Sequence, residues 1–321
     1  MCALFGYLDY QGKLPLKVLQ KLVQALANAS EVRGDHASGI AYNKGHHLTI
    51  YKRPKPAHQM QFRIPKETSA VMGHTRLTTQ GSEKQNYNNH PFQGNAGVKF
   101  ALAHNGVLYN DTKLRREKNL PETPIKTDSY IAVQLIEAQH KLDFDSLRSM
   151  AEDVLGNFTF TLLDENNNLW FVKGSSPLVI IHFPELGLYV YSSTPDIMAD
   201  ALKRTPLRWM HSEIIDAEEG DLIRISPDGN IERSEFDVSR FYSSRLSWAY
   251  DCWSCSEKDD KETEIEENNL ETLLEICGYF GVTEEEVMHL RELGYSYDEL
   301  EEFLFNPSAF EDDLCLLCGE I

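Results

Sequence analysis

The chain opens Met1-Cys2-Ala3-Leu4-Phe5-Gly6-Tyr7 (MCALFGY), and the reading of Cys2 decides how everything after it is understood. Taken alone, the stretch is an apolar run that begins a strand, with Cys2 as a small hydrophobe at its edge. Removal of Met1, which a small second residue favours, would instead unite a thiol and a free α-amine in one residue. Nucleophile and base would then need no further assembly. The residues downstream decide between the two readings.

The sequence has 321 residues, 41% of them hydrophobic and 10% aromatic, enough for one large domain and an appendage. No apolar run approaches the roughly 18 residues of a membrane span. The amino-terminal residues lack the charged start, apolar block and cleavage site of a secretion signal, so a cytoplasmic protein is expected. Six cysteines in such a chain do not argue for a disulfide framework. The net charge of −19 is uneven: from residue 251 onward there are 22 acidic residues against Lys258, Lys261 and Arg291, while positions 1–250 balance at 28 of each sign. A tail of that sign repels nucleic acid and anionic membranes, so neither is expected as a partner. A solvated appendage and an acidic docking surface both fit it.

Two segments carry helical spacing. Pro15 to Ala29 places Leu19, Leu22, Val23 and Leu26 on one face, and Asp128 to Gln139 repeats the pattern. SGIAYN, HLTIYKR, AVMGHTR, KFALAHNG, NFTFTLLD, NLWFVKG, LVIIHF, LGLYVYSS and DLIRISPDGNIER read as strands bounded by turn residues, and SPDGN marks a hairpin. Strands in runs with helices before and between them imply antiparallel sheets carrying helices on their outer faces, an α+β fold. Near residue 245 the character changes to a charged linker and a small helical unit. There Thr283 with Glu286, and Ser296 with Glu299, fit N-capping pairs. The expected domains are therefore 2–245 and 246–321.

Polar clusters punctuate the first half: Arg33-Gly34, GHTRLTTQG at Gly73 to Gly81, NNHP at Asn88 to Pro91, AHNG at Ala103 to Gly106, and TDSY at Thr127 to Tyr130. Each has a plain structural reading, since HNG is a common turn and Thr127 or Asp128 could cap a helix. Together they match the needs of a thiol attacking an amide. Cys2 and its amine supply nucleophile and base. Asn105 offers a side-chain NH2 donor, and Gly106 an unobstructed backbone N–H, a plausible oxyanion hole. Arg76 can fork onto a substrate carboxylate while Asp128 pairs with its ammonium, which fits glutamine.

In this order and spacing, MCALFG, RG with Gly39, GHTR with Thr79, NHP, HNG and TDS resemble the class II (N-terminal-nucleophile) glutamine amidotransferase domain over roughly residues 2–240. The resemblance implies an αββα sandwich of two antiparallel sheets and glutamine hydrolysis through a γ-glutamyl thioester. It implies Cys2 as nucleophile, Asn105 and Gly106 as oxyanion donors, Arg76 and Asp128 as ligands of the glutamine α-carboxylate and α-ammonium, and Thr79 and His90 as supporting pocket residues. Catalysis of this kind uses no cofactor. The chain departs from the family pattern at Asp35-His36, where the acidic residue comes one place early, and at Tyr130, where an acidic residue often stands.

After residue 245 the roughly 75 remaining residues are too few for the acceptor domains of the familiar members of that class. Three functions follow: a glutaminase delivering ammonia to a synthetase or other acceptor subunit, a stand-alone hydrolase of glutamine or γ-glutamyl amides, and a non-catalytic binding module that retains the fold. The tail also carries Cys252 with Cys255 and Cys315 with Cys318, two C-x-x-C pairs that could hold a structural Zn²⁺. A redox pair or plain buried cysteines are the alternatives. His46-His47 reads as a surface hairpin, and His74 and His104 as residues that shape the pocket.

Overall fold

The computed structural model describes residues 2–45 and 47–239 and, nearer the C-terminus, residues 274, 277, 282–293, 295, 300 and 303. The chain divides into two units, Met1–Arg245 and Leu246–Ile321. The four cysteines of the C-x-x-C pairs and the Ser296/Glu299 pair lie outside the described residues.

Strand β1 (Ala3–Asp9) is buried along its whole length, as a central strand covered on both faces must be. It pairs antiparallel with β4 (Ala70–Arg76) on one side and β10 (Leu188–Ser192) on the other. With β2 (Ala37–Lys44), β3 (His47–Arg53), β9 (Val179–Phe183) and β11 (Glu213–Ile215) these form a seven-stranded sheet ordered β11-β9-β10-β1-β4-β2-β3. A second, six-stranded sheet is ordered β13-β12-β8-β7-β6-β5. Its members are β5 (Phe92–Asn95), β6 (Lys99–Leu108), β7 (Gly156–Asp164), β8 (Leu169–Lys173), β12 (Asp221–Ile225) and β13 (Ile231–Glu235). Neighbouring strands are antiparallel throughout both sheets.

Side-chain alternation along the strands builds the layers. Phe5 and Tyr7 pack with Leu19, Leu22, Val23 and Leu26 of α1 (Leu16–Ser30) and with Met198 and Ala201 of α5 (Pro195–Lys203). Leu4 and Leu8, on the opposite face of the same strand, meet Ala101, Ala103, Leu163 and Phe171 of the second sheet. That sheet turns Phe100, Leu102, Phe160 and Leu162 outward onto α3 (Tyr130–Ala138) and α4 (Phe144–Asp153). The result is helix, sheet, sheet, helix: the expected αββα sandwich. A short α2 (Asp111–Glu117) follows β6.

Sequence and structure differ in a few elements. Strands β5 and β11 and helices α2, α4 and α5 were not singled out in the sequence. The SPDGN hairpin is present between β12 and β13, closed by Ser226 N–H donating to the Asn230 carbonyl at 3.0 Å. In the C-terminal unit, α6 (Glu284–Glu292) begins with the expected capping pair. Glu286 N–H donates to Thr283 Oγ1 at 3.2 Å, and Thr283 N–H donates to Glu286 Oε2 at 2.7 Å. Leu290 and Leu300 are buried there with Cys277, Val282, Val287 and Phe303. No helix among the described residues is long and apolar enough to cross a membrane.

Candidate active site

The period of two that builds the layers also aims the sequence-predicted residues. Leu4 and Leu8 face the interior between the sheets, so Cys2, two residues before Leu4, faces it too. Ala70 and Met72 set the same phase for His74 and Arg76 on β4, and Ala101 and Ala103 set it for Asn105 on β6. The antiparallel register pairs Ala3 with Thr75, which brings the Cys2 end of β1 alongside Arg76. His74 lies opposite Leu4 in that register. It reaches across to the second sheet, donating from Nε2 to the His104 carbonyl at 2.9 Å. That bond fixes the residue next to Asn105 against the Cys2 end of the first sheet.

Cys2 is 9% exposed. Its Sγ lies 3.5 Å from the Leu77 carbonyl, and its own carbonyl accepts from Arg33 Nε at 3.0 Å. Burial pushes the thiol pKa up, with Arg76 opposing and Asp128 adding to the shift. A thiol in this setting stays protonated near neutrality unless a base takes its proton.

Asn105 is completely buried, and among the described residues neither its Oδ1 nor its Nδ2 has a hydrogen-bond partner. A buried amide left open at both ends is costly, about 1–3 kcal/mol for each unsatisfied group, so both ends are free to bond water or a ligand. Gly106 follows at φ +138°, where a Cβ would meet the Asn157 carbonyl oxygen at 1.8 Å. The HNG sequence is thus the interior of β6, not a turn.

Arg76 is 3% exposed. It donates from Nη1 to Asn89 Oδ1 at 2.7 Å and from Nη2 to the carbonyls of Gln80 and Gly81 at 2.5 and 2.7 Å. Its hydrogen bonds therefore shape the bend after β4 that carries the half-buried Thr79. Asn89 Nδ2 donates to the Glu83 carbonyl at 2.8 Å, tying the other side of that loop. His36 occupies the position where the family pattern departs, and its Nδ1 accepts from Thr78 N–H at 3.1 Å, so it holds the same loop.

Asp128 does not cap α3. Its Oδ2 accepts from Leu108 N–H at 2.7 Å, and its Oδ1 accepts from Ser129 Oγ at 3.2 Å. Ser129 Oγ in turn lies 2.8 Å from His104 Nδ1. A chain from imidazole through hydroxyl to carboxylate thus anchors the acid beside the end of β6. Buried His90 lies between the rings of His74 and Phe92, 4.2 and 4.4 Å away, and among the described residues neither of its nitrogens has a hydrogen-bond partner. Burial lowers the pKa of all three histidines, and His74 falls to about 3. They are neutral at physiological pH.

The structure thus gathers Cys2, His74, Arg76 and Asn105 on the interior faces of the two sheets, and Asp128 within electrostatic reach of the thiol. Asn89 and Ser129 lie within the NNHP and TDSY clusters, where the sequence points only to His90 and Asp128.

Residues 74–199 match a family described as a glutamine amidotransferase domain. A glutamine–fructose-6-phosphate aminotransferase (isomerizing) of Bacillus cereus is 30% identical over 190 residues, covering 56% of this chain and 30% of that protein. The enzyme of the same name from Listeria monocytogenes gives the same figures. The chain thus spans 30% of the length of these curated relatives. Among solved structures, the glutamine phosphoribosylpyrophosphate (PRPP) amidotransferase of B. subtilis superposes with a TM-score of 0.58 at 20% identity. The match covers 74% of this chain and 50% of that one, and it shows a shared fold. The sequence match at the centre of the sandwich is thus to a glutamine amidotransferase domain, and the fold shared with an amidotransferase extends over 74% of the chain.

Proposed function

We propose that the domain hydrolyses the side-chain amide of glutamine through a γ-glutamyl thioester on Cys2 and releases ammonia for an acceptor site on a partner protein. The observation that carries this reading is Asn105, a fully buried amide with both ends open, in the interlayer space that Cys2 faces.

With Met1 removed, the α-amine of Cys2, whose ordinary pKa is roughly 7.7–8.0, takes the Sγ proton that burial otherwise retains. The thiolate forms a bond to the γ-carbon, and the oxyanion is received by Asn105 Nδ2 and the Gly106 N–H. The carbon–nitrogen bond breaks as the amine returns its proton to the departing ammonia. Water then attacks the thioester with the amine again as base, freeing glutamate and the thiol. Arg76 holds the α-carboxylate and Asp128 the α-ammonium, with Thr79 and His90 completing the pocket. No step draws on a cofactor.

The relatives are named as a glutamine–fructose-6-phosphate aminotransferase and a glutamine PRPP amidotransferase, and both names pair glutamine with an acceptor. The second reading, a stand-alone hydrolase of glutamine or a γ-glutamyl amide, requires the same residues. Incubation with L-glutamine and with γ-glutamyl compounds, with glutamate and ammonia both measured, separates the two. Equal release from any γ-glutamyl amide favours the hydrolase. Slow glutamine-specific release that a co-purifying protein accelerates favours the transferase. Absence of release from every substrate overturns both.

A further inference from the structure

Lys52 sits on β3, opposite Gly39 in the β2–β3 register, and is half-buried. Its Nζ donates to the carbonyls of Asn89 and Pro91, the latter at 3.0 Å, so it grips the chain on both sides of His90. It also lies 5.1 Å over the Phe92 ring. The grip depends on a close approach, because a Cβ on residue 39 would come within 2.5 Å of the His90 carbonyl and 2.7 Å of Lys52 Cβ. Asn86 Nδ2 holds the Lys52 carbonyl at 3.1 Å.

The segment that Lys52 grips is the one that orients Arg76, whose Nη1 donates to Asn89 Oδ1. Lys52 and Arg76 are also within electrostatic reach of each other. Burial and the Arg76 charge together push the Lys52 pKa down to about 8. The bonds described for both cations end on neutral oxygens, the Asn89 side chain and backbone carbonyls. The other groups facing Lys52 are His74 and His90, both neutral. On the Arg76 side the charged neighbours are Asp128, Glu83 and the Cys2 sulfur. Arg76, buried, and Lys52, half-buried, are both bonded to neutral acceptors and so concentrate positive charge at this end of the site for an incoming anion.

We propose that Lys52 is a positioning residue for the carboxylate end of the substrate: it fixes the Asn89–Pro91 backbone that aims Arg76, and adds a second positive charge behind that guanidinium. This rests on the glutaminase reading and adds to it a discrimination for substrates with a free α-carboxylate.

The test uses the full chain with Lys52→Met, Lys52→Gln and Lys52→Arg, assayed on L-glutamine and on L-glutamine α-amide, which lacks the carboxylate. Lys52→Met is expected to raise KM for L-glutamine by about tenfold or more with kcat little changed. Lys52→Gln, which keeps a donor without the charge, should fall between, and Lys52→Arg should recover most of the loss. On the α-amide, wild type and variants should share one kcat/KM. Equal losses on both substrates, or a loss in kcat with KM unmoved, would overturn the assignment. If Lys52→Met does not fold, the Gln-to-Arg comparison decides alone. Wild-type protein that turns over neither substrate would overturn the glutaminase reading itself, whereas normal wild-type turnover with unmoved variants sinks only the role of Lys52.

Discussion

Gly106 stands against Asn157 so closely that a Cβ built on it would lie 1.8 Å from the Asn157 carbonyl oxygen, with φ at +138°. Both facts exclude any other residue there, since the β6–β7 ladder has no slack and side chains disfavour that backbone region. Gly106→Ala is expected to lower stability by about 2 kcal/mol or more and to abolish glutamine hydrolysis by moving the N–H at residue 106. Thermal unfolding and an ammonia assay check the two effects. A stable, active variant contradicts them.

Asn105 should show the opposite coupling. Its open amide costs stability in the free protein, so Asn105→Ala is expected to leave the unfolding temperature unchanged or higher. Loss of one oxyanion donor should meanwhile lower kcat by about 10²–10³. Paired calorimetry and steady-state kinetics test this. A variant that loses stability and activity together would make Asn105 a structural residue.

Arg76 is held in a fork by Asn89, Gln80 and Gly81. A lysine cannot reproduce planar bonding of that kind. Arg76→Lys should therefore raise KM for glutamine by about 10- to 100-fold, and Asn89→Ala, which removes only the acceptor, by less. Kinetics on both variants decide, and an unchanged KM for Arg76→Lys would remove it from carboxylate binding.

The three buried imidazoles make the fold sensitive to acid. Burial depresses the pKa of His74 to about 3 and lowers those of His90 and His104 from the ordinary 6.5. The unfolded chain therefore takes up protons, as pH falls through about 6.5, that the folded chain refuses. Stability rises with pH wherever the unfolded state binds more protons, so it must fall on acidification. The slope can approach about 4 kcal/mol per pH unit if all three contribute. Denaturant unfolding at pH 7.5, 6.5 and 5.5 measures it, and His74→Gln should reduce the slope by about one proton's share. A flat profile contradicts the burial of neutral imidazoles.

Much of the sandwich is legible because its central strands are buried on both faces by different layers, and the edge strand β3, only half-buried, is bounded by Gly45 and Pro54. AVMGHTR and HLTIYKR coincide with β4 and β3, and the helical spacing of Leu19, Leu22, Val23 and Leu26 is the buried face of α1. Strand β11 has three residues with Ile214 exposed at a sheet edge, too little pattern to read. Helices α4 and α5 carry only local start signals, the Asp143/Ser146 capping box and Thr194 followed by Pro195. At the site, residue types announced Cys2, Arg76 and Asn105. Lys52 acts through contacts with a segment distant in sequence, which no local spacing encodes, and Ser129, inside TDSY, meets His104 only in the fold. From the sequence Asp128 reads either as a helix cap or as the partner of a substrate ammonium, and only the fold shows its carboxylate accepting from Leu108 N–H and Ser129 Oγ.

The central claim is that Cys2, freed of Met1, is the nucleophile. Intact-mass and peptide-mapping measurement of protein incubated with diazo-oxo-norleucine tests it most directly. The account predicts a protein lacking the initiator methionine that gains one adduct on Cys2, with excess L-glutamine protecting it. A retained Met1, an adduct confined to another residue such as Cys277, or no adduct at all would contradict it.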